Sequence, residues 1–260
     1  MTLAIQDNNI ALLANYRSRQ PSNSRQSAYA ANFDYFEQGN PNRARLETFI
    51  SDVFKKYYNA EIDQFYPTLL SIETDKDNHN NLNSEQSIKA VAGVRCAAEQ
   101  MLFSEYYLPE KLETELQLQY GQSISRQVVV EVGNLAPATV GQMRWLIASI
   151  TGFLYSAGFQ YIVFTAVPGV YNAFKRMDMP LKVLTEAKQE CLPEAIQHKW
   201  GPEYYQSKPV VLSGDIVEGF DIMKKSIYNS NKKLIPLFEN ACQLGKQFRE
   251  IKSQLKGNVA

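Results

Sequence analysis

The stretch VVVEVGNLA, Val128 to Ala136, restricts the fold of this chain more than any other. An apolar run without alternation reads as a strand buried on both faces, and such a strand needs layers packed on each side of its sheet. Glu131 stands in the middle of it. A carboxylate in that position costs several kcal/mol unless it is paired or protonated.

The flanking patterns supply the layers. Leu46, Phe49, Ile50, Val53, Phe54 and Tyr57 recur at the three/four spacing of one helical face. YPTLLSIE (66–73) and IKAVAGVR (88–95) predict strands, and the polar TDKDNHNNLNSEQ between them predicts a surface loop that breaks a potential hairpin. EKLETELQLQYG is a short helix closed by Gly121. Beyond VVVEVGNLA the order is helix, strand, helix, strand. TVGQMRWLIASITGFLYSAGF places Val140, Met143, Ile147, Ile150 and Leu154 on a buried face and ends at Gly158. YIVFTAV (161–167) is a strand, and Pro168 opens the helix PGVYNAFKRM at its first position. MPLKVL and PVVLSG (209–214) complete the strands.

Residues 1–41, with NYRSRQPSNSRQ, read as a mobile or loosely docked leader. From Lys232 onward, Leu234, Leu237, Phe238, Ala241, Leu244, Phe248, Ile251 and Leu255 form one amphipathic stripe. With only about three heptads, it is expected to pack on its own domain rather than to form a homodimer seam. The expected organisation is a leader (1–41), a main folded domain (42–218) and a helical C-terminal extension (219–260).

Composition narrows the function. In a chain of 260 residues, 27 Lys and Arg balance 27 Asp and Glu, so no overall basic field favours nucleic acid or an anionic membrane. No apolar run approaches the roughly 20 residues of a membrane-spanning helix. The N-terminus lacks the basic region and long apolar core of a secretory signal. Cys96, Cys191 and Cys242 are scattered, which suits a cytoplasmic protein without a disulfide framework or zinc site. His79 and His198 are the only histidines, so a histidine triad or His-rich metal centre is not expected.

The runs AVAGVRCAAEQMLFSEYYL, VVVEVGNLA, LIASITGFLYSAGFQYIVFTAV, FKRMDMPL, WGPEYY and PVVLSGDI, in that order over most of 43–218, resemble the thermostable hemolysin family. That family is similar in turn to the acyl-homoserine-lactone synthases and, more distantly, to the GNAT superfamily of N-acyltransferases. The resemblance implies an α+β fold: a GNAT-like mixed, mostly antiparallel central sheet flanked by helices. It also implies transfer of an acyl group from an acyl-CoA or acyl-carrier-protein phosphopantetheine thioester to a small amine, with no tightly bound cofactor. NAEIDQF, with Glu61 and Asp63, looks like the acidic segment of the synthases, GVR to Arg95 like their Gly-to-Arg strand, and VEVGNL like their Glu-bearing strand. Two features depart from the GNAT pattern. Of its phosphate loop, Ala138, Gly141 and Met143 keep only the middle glycine, and Phe174 stands where a later helix usually carries a tyrosine. The carrier-protein donor therefore stands beside acyl-CoA.

Such a reaction needs a group that deprotonates or orients the amine, donors for the oxyanion, and a cradle for the pantetheine or phosphate arm. The resemblance makes Glu131 the candidate base, against a structural carboxylate bonded to Arg95 or a neighbouring N–H. Asn134, Thr139, Gly141, Gln142 and Arg144, at the strand end and the start of the next helix, are the candidate donor-binding residues. Arg95, Glu99, Glu105 and Tyr107 are the candidate substrate contacts, while Phe103, Trp145 and Phe153 are expected in the core. Two other classes compete: the membrane-lytic toxin that the family's description names, and a GNAT-like ligand-binding module without catalysis.

Overall fold

The computed structural model describes residues 31–75 and 86–257. Seven strands form one sheet: β1 (Asn32–Phe36), β2 (Thr68–Asp75), β3 (Gln86–Cys96), β4 (Val129–Pro137), β5 (Tyr161–Ala166), β6 (Leu181–Glu186) and β7 (Val210–Asp215). Their spatial order is β1-β2-β3-β4-β5-β7-β6. Every neighbouring pair is antiparallel except β4 with β5. Eight α-helices accompany them among the described residues: α1 (Arg43–Tyr58), α2 (Leu112–Tyr120), α3 (Met143–Ser156), α4 (Pro168–Lys175), α5 (Glu194–Gln197), α6 (Pro202–Gln206), α7 (Ile216–Ser230) and α8 (Ile235–Gly257). This is the α+β, mostly antiparallel sheet that the sequence predicts.

Alternation along the strands divides the interior. Leu70, Ile72, Ala92 and Val94 join a cluster with Leu146, Ile150 and Phe153 of α3 and Phe238 of α8. Leu69 and Val91, one residue out of phase, meet Leu46, Ile50 and Phe54 of α1 on the other face. The stripe of α8 packs on its own domain, as expected: Leu237, Phe238, Ala241 and Phe248 are buried. The approach of α8 to α3 is close, because a Cβ on Gly245 would sit 2.2 Å from the Phe153 carbonyl oxygen.

Several expectations are corrected. Residues 32–36 belong to the sheet rather than to a loose leader. They pair with β2, and the Phe33 N–H donates to Asn240 Oδ1 of α8 at 2.9 Å. That bond satisfies part of an otherwise open sheet edge. Residues 1–30 and most of the polar loop (76–85) lie outside the described residues. The loop does not abolish the hairpin, since β2 and β3 pair from Thr68↔Val94 to Asp75↔Gln86. Val140 is 80% exposed because it sits in a 3-10 turn before α3 rather than on its buried face. Tyr57 is 49% exposed, and its neighbour Tyr58 turns inward instead.

The topology makes one opening that matters. β4 and β5 pair only at Val129↔Tyr161, Val130↔Ile162 and Glu131↔Val163. Beyond Glu131, β4 stays with β3 while β5 stays with β7. Two parallel strands that separate in mid-sheet leave a wedge whose walls are backbone and whose floor is core.

Candidate active site

A bulge shapes one wall of the wedge. Gly93 pairs with Gly133 but Val91 pairs with Ala136, so β4 carries one extra residue opposite Ala92. Asn134 absorbs it in the left-handed region, at φ 48°, and its Oδ1 accepts the Tyr66 N–H at 3.1 Å. The two paired glycines leave a slot that the Tyr66 ring fills. A Cβ on Gly133 would lie 2.5 Å from Tyr66 Cζ, and one on Gly93 2.7 Å from Tyr66 Cβ. Arg95 lies over the same ring, its guanidinium carbon 4.3 Å from the centroid.

Two joined clefts open from the wedge. The first, of about 70 Å³, is walled by Tyr66, Arg95, Phe103, Asn134, Trp200 and Tyr204, with Glu61 and Asp63 at its lining. Lys199 Nζ pairs with Asp63 Oδ2 at 2.5 Å, tying the segment before α6 to the one after α1. The second cleft is roomier, about 620 Å³, and runs past Leu135, Thr139, Gly141 and Arg144 to Ala173 and Arg176 of the α4 region. Neither Arg144 nor Arg176 forms an ion pair among the described residues. A Cβ on Gly141 would meet nothing within 4 Å, so the turn before α3 is open to a ligand. N–H groups at such a helix start, with two unpaired guanidiniums, suit an anionic group.

Glu131 is not on either wall. It is 1% exposed; its Oε2 accepts the Phe103 N–H at 2.8 Å, and its Oε1 accepts the Ser104 N–H at 2.6 Å and the Ser104 hydroxyl at 2.5 Å. Burial pushes its carboxyl above the usual range, with the Ser104 and Phe103 donors and Arg95 pulling it back. The expectation of a catalytic base facing the substrate is corrected. The carboxylate instead holds the start of the 3-10 turn Phe103–Tyr106, whose free N–H groups it satisfies. Its influence reaches the first cleft through Phe103 and through Tyr66. Burial first, then the Glu131 carboxylate, keeps the Tyr66 phenol well above its ordinary pKa.

The other expected residues divide. Arg95 lines the first cleft and makes no ion pair with Glu99 or Glu131; its Nε is buried without a hydrogen-bond partner. Thr139, Gly141 and Arg144 line the second cleft. Gln142 does not. Its Oε1 accepts the Thr139 N–H at 2.9 Å and caps the turn into α3. Asn134 lines the first cleft with its carbonyl oxygen already committed to Tyr66, so it shapes the strand rather than offering that atom to a donor.

Glu99, Glu105 and Tyr107 are corrected as substrate contacts. Glu99 lies 3.6 Å from Lys252 of α8, beside a separate hollow. Glu105 is bound by Arg126 Nη2 at 2.7 Å and by the Leu102 N–H at 2.8 Å. Tyr107 is buried and shares a 2.7 Å hydrogen bond with the Tyr205 hydroxyl, behind the aromatic wall. Phe103, expected in the core, is half-buried and lines the first cleft; Phe153 is core, and Trp145 packs partly buried against it. Phe174 packs on Phe164, ring centroids 4.8 Å apart, and reaches neither cleft. Sequence reasoning missed Tyr58, Tyr66, Arg176, Trp200 and Tyr204. For Trp200 and Tyr204 the only signal was an aromatic cluster in a polar segment, HKWGPEYY.

No curated protein matches the sequence. Solved structures similar to the chain include the AHL synthase LasI, at 9% identity over 76% of this chain and 95% of that one (TM-score 0.49). A CoA-dependent acyl-homoserine lactone synthase, BjaI, solved with SAM and isopentyl-CoA, is 10% identical over 80% of this chain and 99% of that one (TM-score 0.48). FeeM, an N-acyl amino acid synthase from uncultured soil microbes, is 10% identical over 72% and 94% (TM-score 0.45). At these identities no residue role passes from them to this chain. The model of the family described as Thermostable hemolysin matches residues 36–220, from the end of β1 into α7, and the chain belongs to that family.

Proposed function

We propose that the protein is an N-acyltransferase that moves an acyl group from a phosphopantetheine thioester to a small amine. The observation that carries this reading is the pair of joined clefts at the β4/β5 split, one narrow and aromatic, the other long and ending at unpaired guanidiniums. A volume of about 620 Å³ lies in the range of small-molecule and cofactor sites. It suits an extended arm whose phosphate rests at Gly141, Arg144 and Arg176. The narrow cleft then receives the reacting end of the acceptor.

Within it, Arg95 binds an anionic group of the acceptor, since the guanidinium has no ion-pair partner among the described residues and lies over the Tyr66 ring. The N–H groups freed where β4 leaves β5 are the candidates for stabilising the oxyanion. Glu131 acts as a positioning residue, fixing Phe103 and Tyr66 on either side of the cleft. Both acyl-CoA and an acylated carrier protein present the same arm, and the cytoplasm, where both donors occur, is the proposed location.

Thiol release with a panel of acyl-CoA and acyl-carrier donors and small amines tests the reading. Release that depends on the amine supports it. No release with any donor, together with no donor-induced rise in melting temperature, sinks it. Dye leakage from plain lipid vesicles by pure protein without substrates would favour the membrane-lytic reading instead; no helix among the described residues is long and apolar enough to cross a membrane.

A further inference from the structure

A third opening lies on the face of β3 away from the narrow cleft. Arg95 lines the cleft, while its neighbours Val94 and Cys96 line a hollow of about 140 Å³ on the opposite side of the strand. The hollow shares no lining residue with either cleft. It is bounded by the start of β2, the end of β3, the end of α3 and the last turns of α8.

Its apolar lining is rigid, since Val94 and Phe248 are buried and Phe159 packs against the same core cluster. Its charged lining is two cations, Arg249 and Lys252, against one carboxylate, Glu99. Glu99 occupies Lys252, whose Nζ is 3.6 Å away. Arg249 has no ion pair among the described residues, and the hydrogen bond at that residue is accepted by its backbone carbonyl from the Ser253 hydroxyl. The Thr68 hydroxyl is likewise committed, to Glu37 Oε1 at 3.1 Å. Gly158, at φ 91°, makes room for the guanidinium at the end of α3, because a Cβ there would lie 3.2 Å from Arg249 Nε. The polar capacity left for a ligand is therefore cationic.

We infer that this hollow is a second binding site, for a small carboxylate with an apolar body. The carboxylate pairs with Arg249, whose planar fork matches it, and the body rests on Val94, Phe159 and Phe248. Size sets the body. An apolar cavity of about 150 Å³ holds benzene, so this hollow takes about six carbons. Binding here requires no acyl transfer, and affinity alone reads it.

The test is calorimetric titration of the full chain with benzoate, benzyl alcohol and benzylamine, which put three head groups on the same ring. Benzoate is expected to bind about 10-fold or more tighter than either of the others, the worth of a charge-assisted hydrogen bond. Arg249→Leu, at an exposed position, should weaken benzoate about 10- to 100-fold. Ala157→Leu, which fills the hollow, should weaken benzoate and benzyl alcohol alike. Arg95→Ala and Arg144→Ala, in the two clefts, should leave benzoate affinity within about twofold, as distant sites do. No binding of benzoate, tighter binding of benzylamine, an affinity untouched by Arg249→Leu, or a loss confined to Arg95→Ala or Arg144→Ala overturns the site.

Discussion

Gly133 lies directly opposite Gly93 across β3 and β4, and the Tyr66 ring fills the space that two missing side chains leave. This places an aromatic platform at the point where β4 parts from β5, with the Arg95 guanidinium carbon 4.3 Å from the ring centroid. Gly133→Ala puts a methyl 2.5 Å from Tyr66 Cζ and 2.6 Å from its hydroxyl oxygen. The buried ring has no free path away, so the variant is expected to lose about 1–3 kcal/mol of stability. Trimming Tyr66 to Leu in the same chain should recover part of that loss. Additive losses in a denaturant-based double-mutant cycle would show that the ring does not occupy the slot.

Glu131 satisfies three donors from Phe103 and Ser104. Glu131→Gln replaces one acceptor oxygen by an NH₂ that faces a donor, and should cost about 1–3 kcal/mol. The pH dependence identifies the cause. Because burial raises the folded-state pKa, the folded protein holds this proton more tightly than the unfolded chain. The contribution is complete below the ordinary value of 4.5 and is lost as pH rises through the folded value. From pH 4.5 upward, the unfolding free energy of Glu131→Gln should therefore fall less steeply than that of the wild type. An identical slope would mean that the carboxyl is not desolvated.

Arg95 reaches the narrow cleft while its guanidinium lies over the buried Tyr66 ring and donates a long hydrogen bond to the Met101 carbonyl. Arg95→Ala should therefore cost about 1–2 kcal/mol of stability, the value of a partly desolvated cation–π contact. The acceptor KM should rise about 10- to 100-fold, the loss of one charge-assisted hydrogen bond. Steady-state kinetics with acceptor and donor varied separately would locate the effect. A rise confined to the donor KM would move Arg95 to the phosphate end of the site.

Gly245 lets α8 approach α3 so closely that a methyl would press on the Phe153 carbonyl at 2.2 Å. Gly245→Ala should lower the melting temperature and release α8 first, seen as faster hydrogen exchange in 235–257 than in the sheet. Uniform exchange would contradict the tight crossing.

Much of the framework was legible because its periods are strong. The faces of α1, α3 and α8 and six of the seven strands follow from apolar spacing. β1 was not, since NFDYF is only five residues long in a polar surrounding and is held by Asn240, 207 residues away. The site was less legible. A carboxylate among valines announced a buried charge, but its donors lie 27 and 28 residues off in a turn with no spacing signal. Periodicity put Tyr57 on the stripe and passed over Tyr58, because the last turn of α1 runs beyond the core to the cleft. The split itself depends on register between two equally apolar strands, which composition does not encode.

The central claim is that a thioester and an amine meet where β4 and β5 part. Product analysis by mass spectrometry, with acyl-CoA donors and isotopically labelled amines, addresses it most directly. The account predicts labelled amide and free thiol in equal amounts, both abolished when the amine is left out. Thiol formed at the same rate without amine, or no amide with any donor, would contradict it.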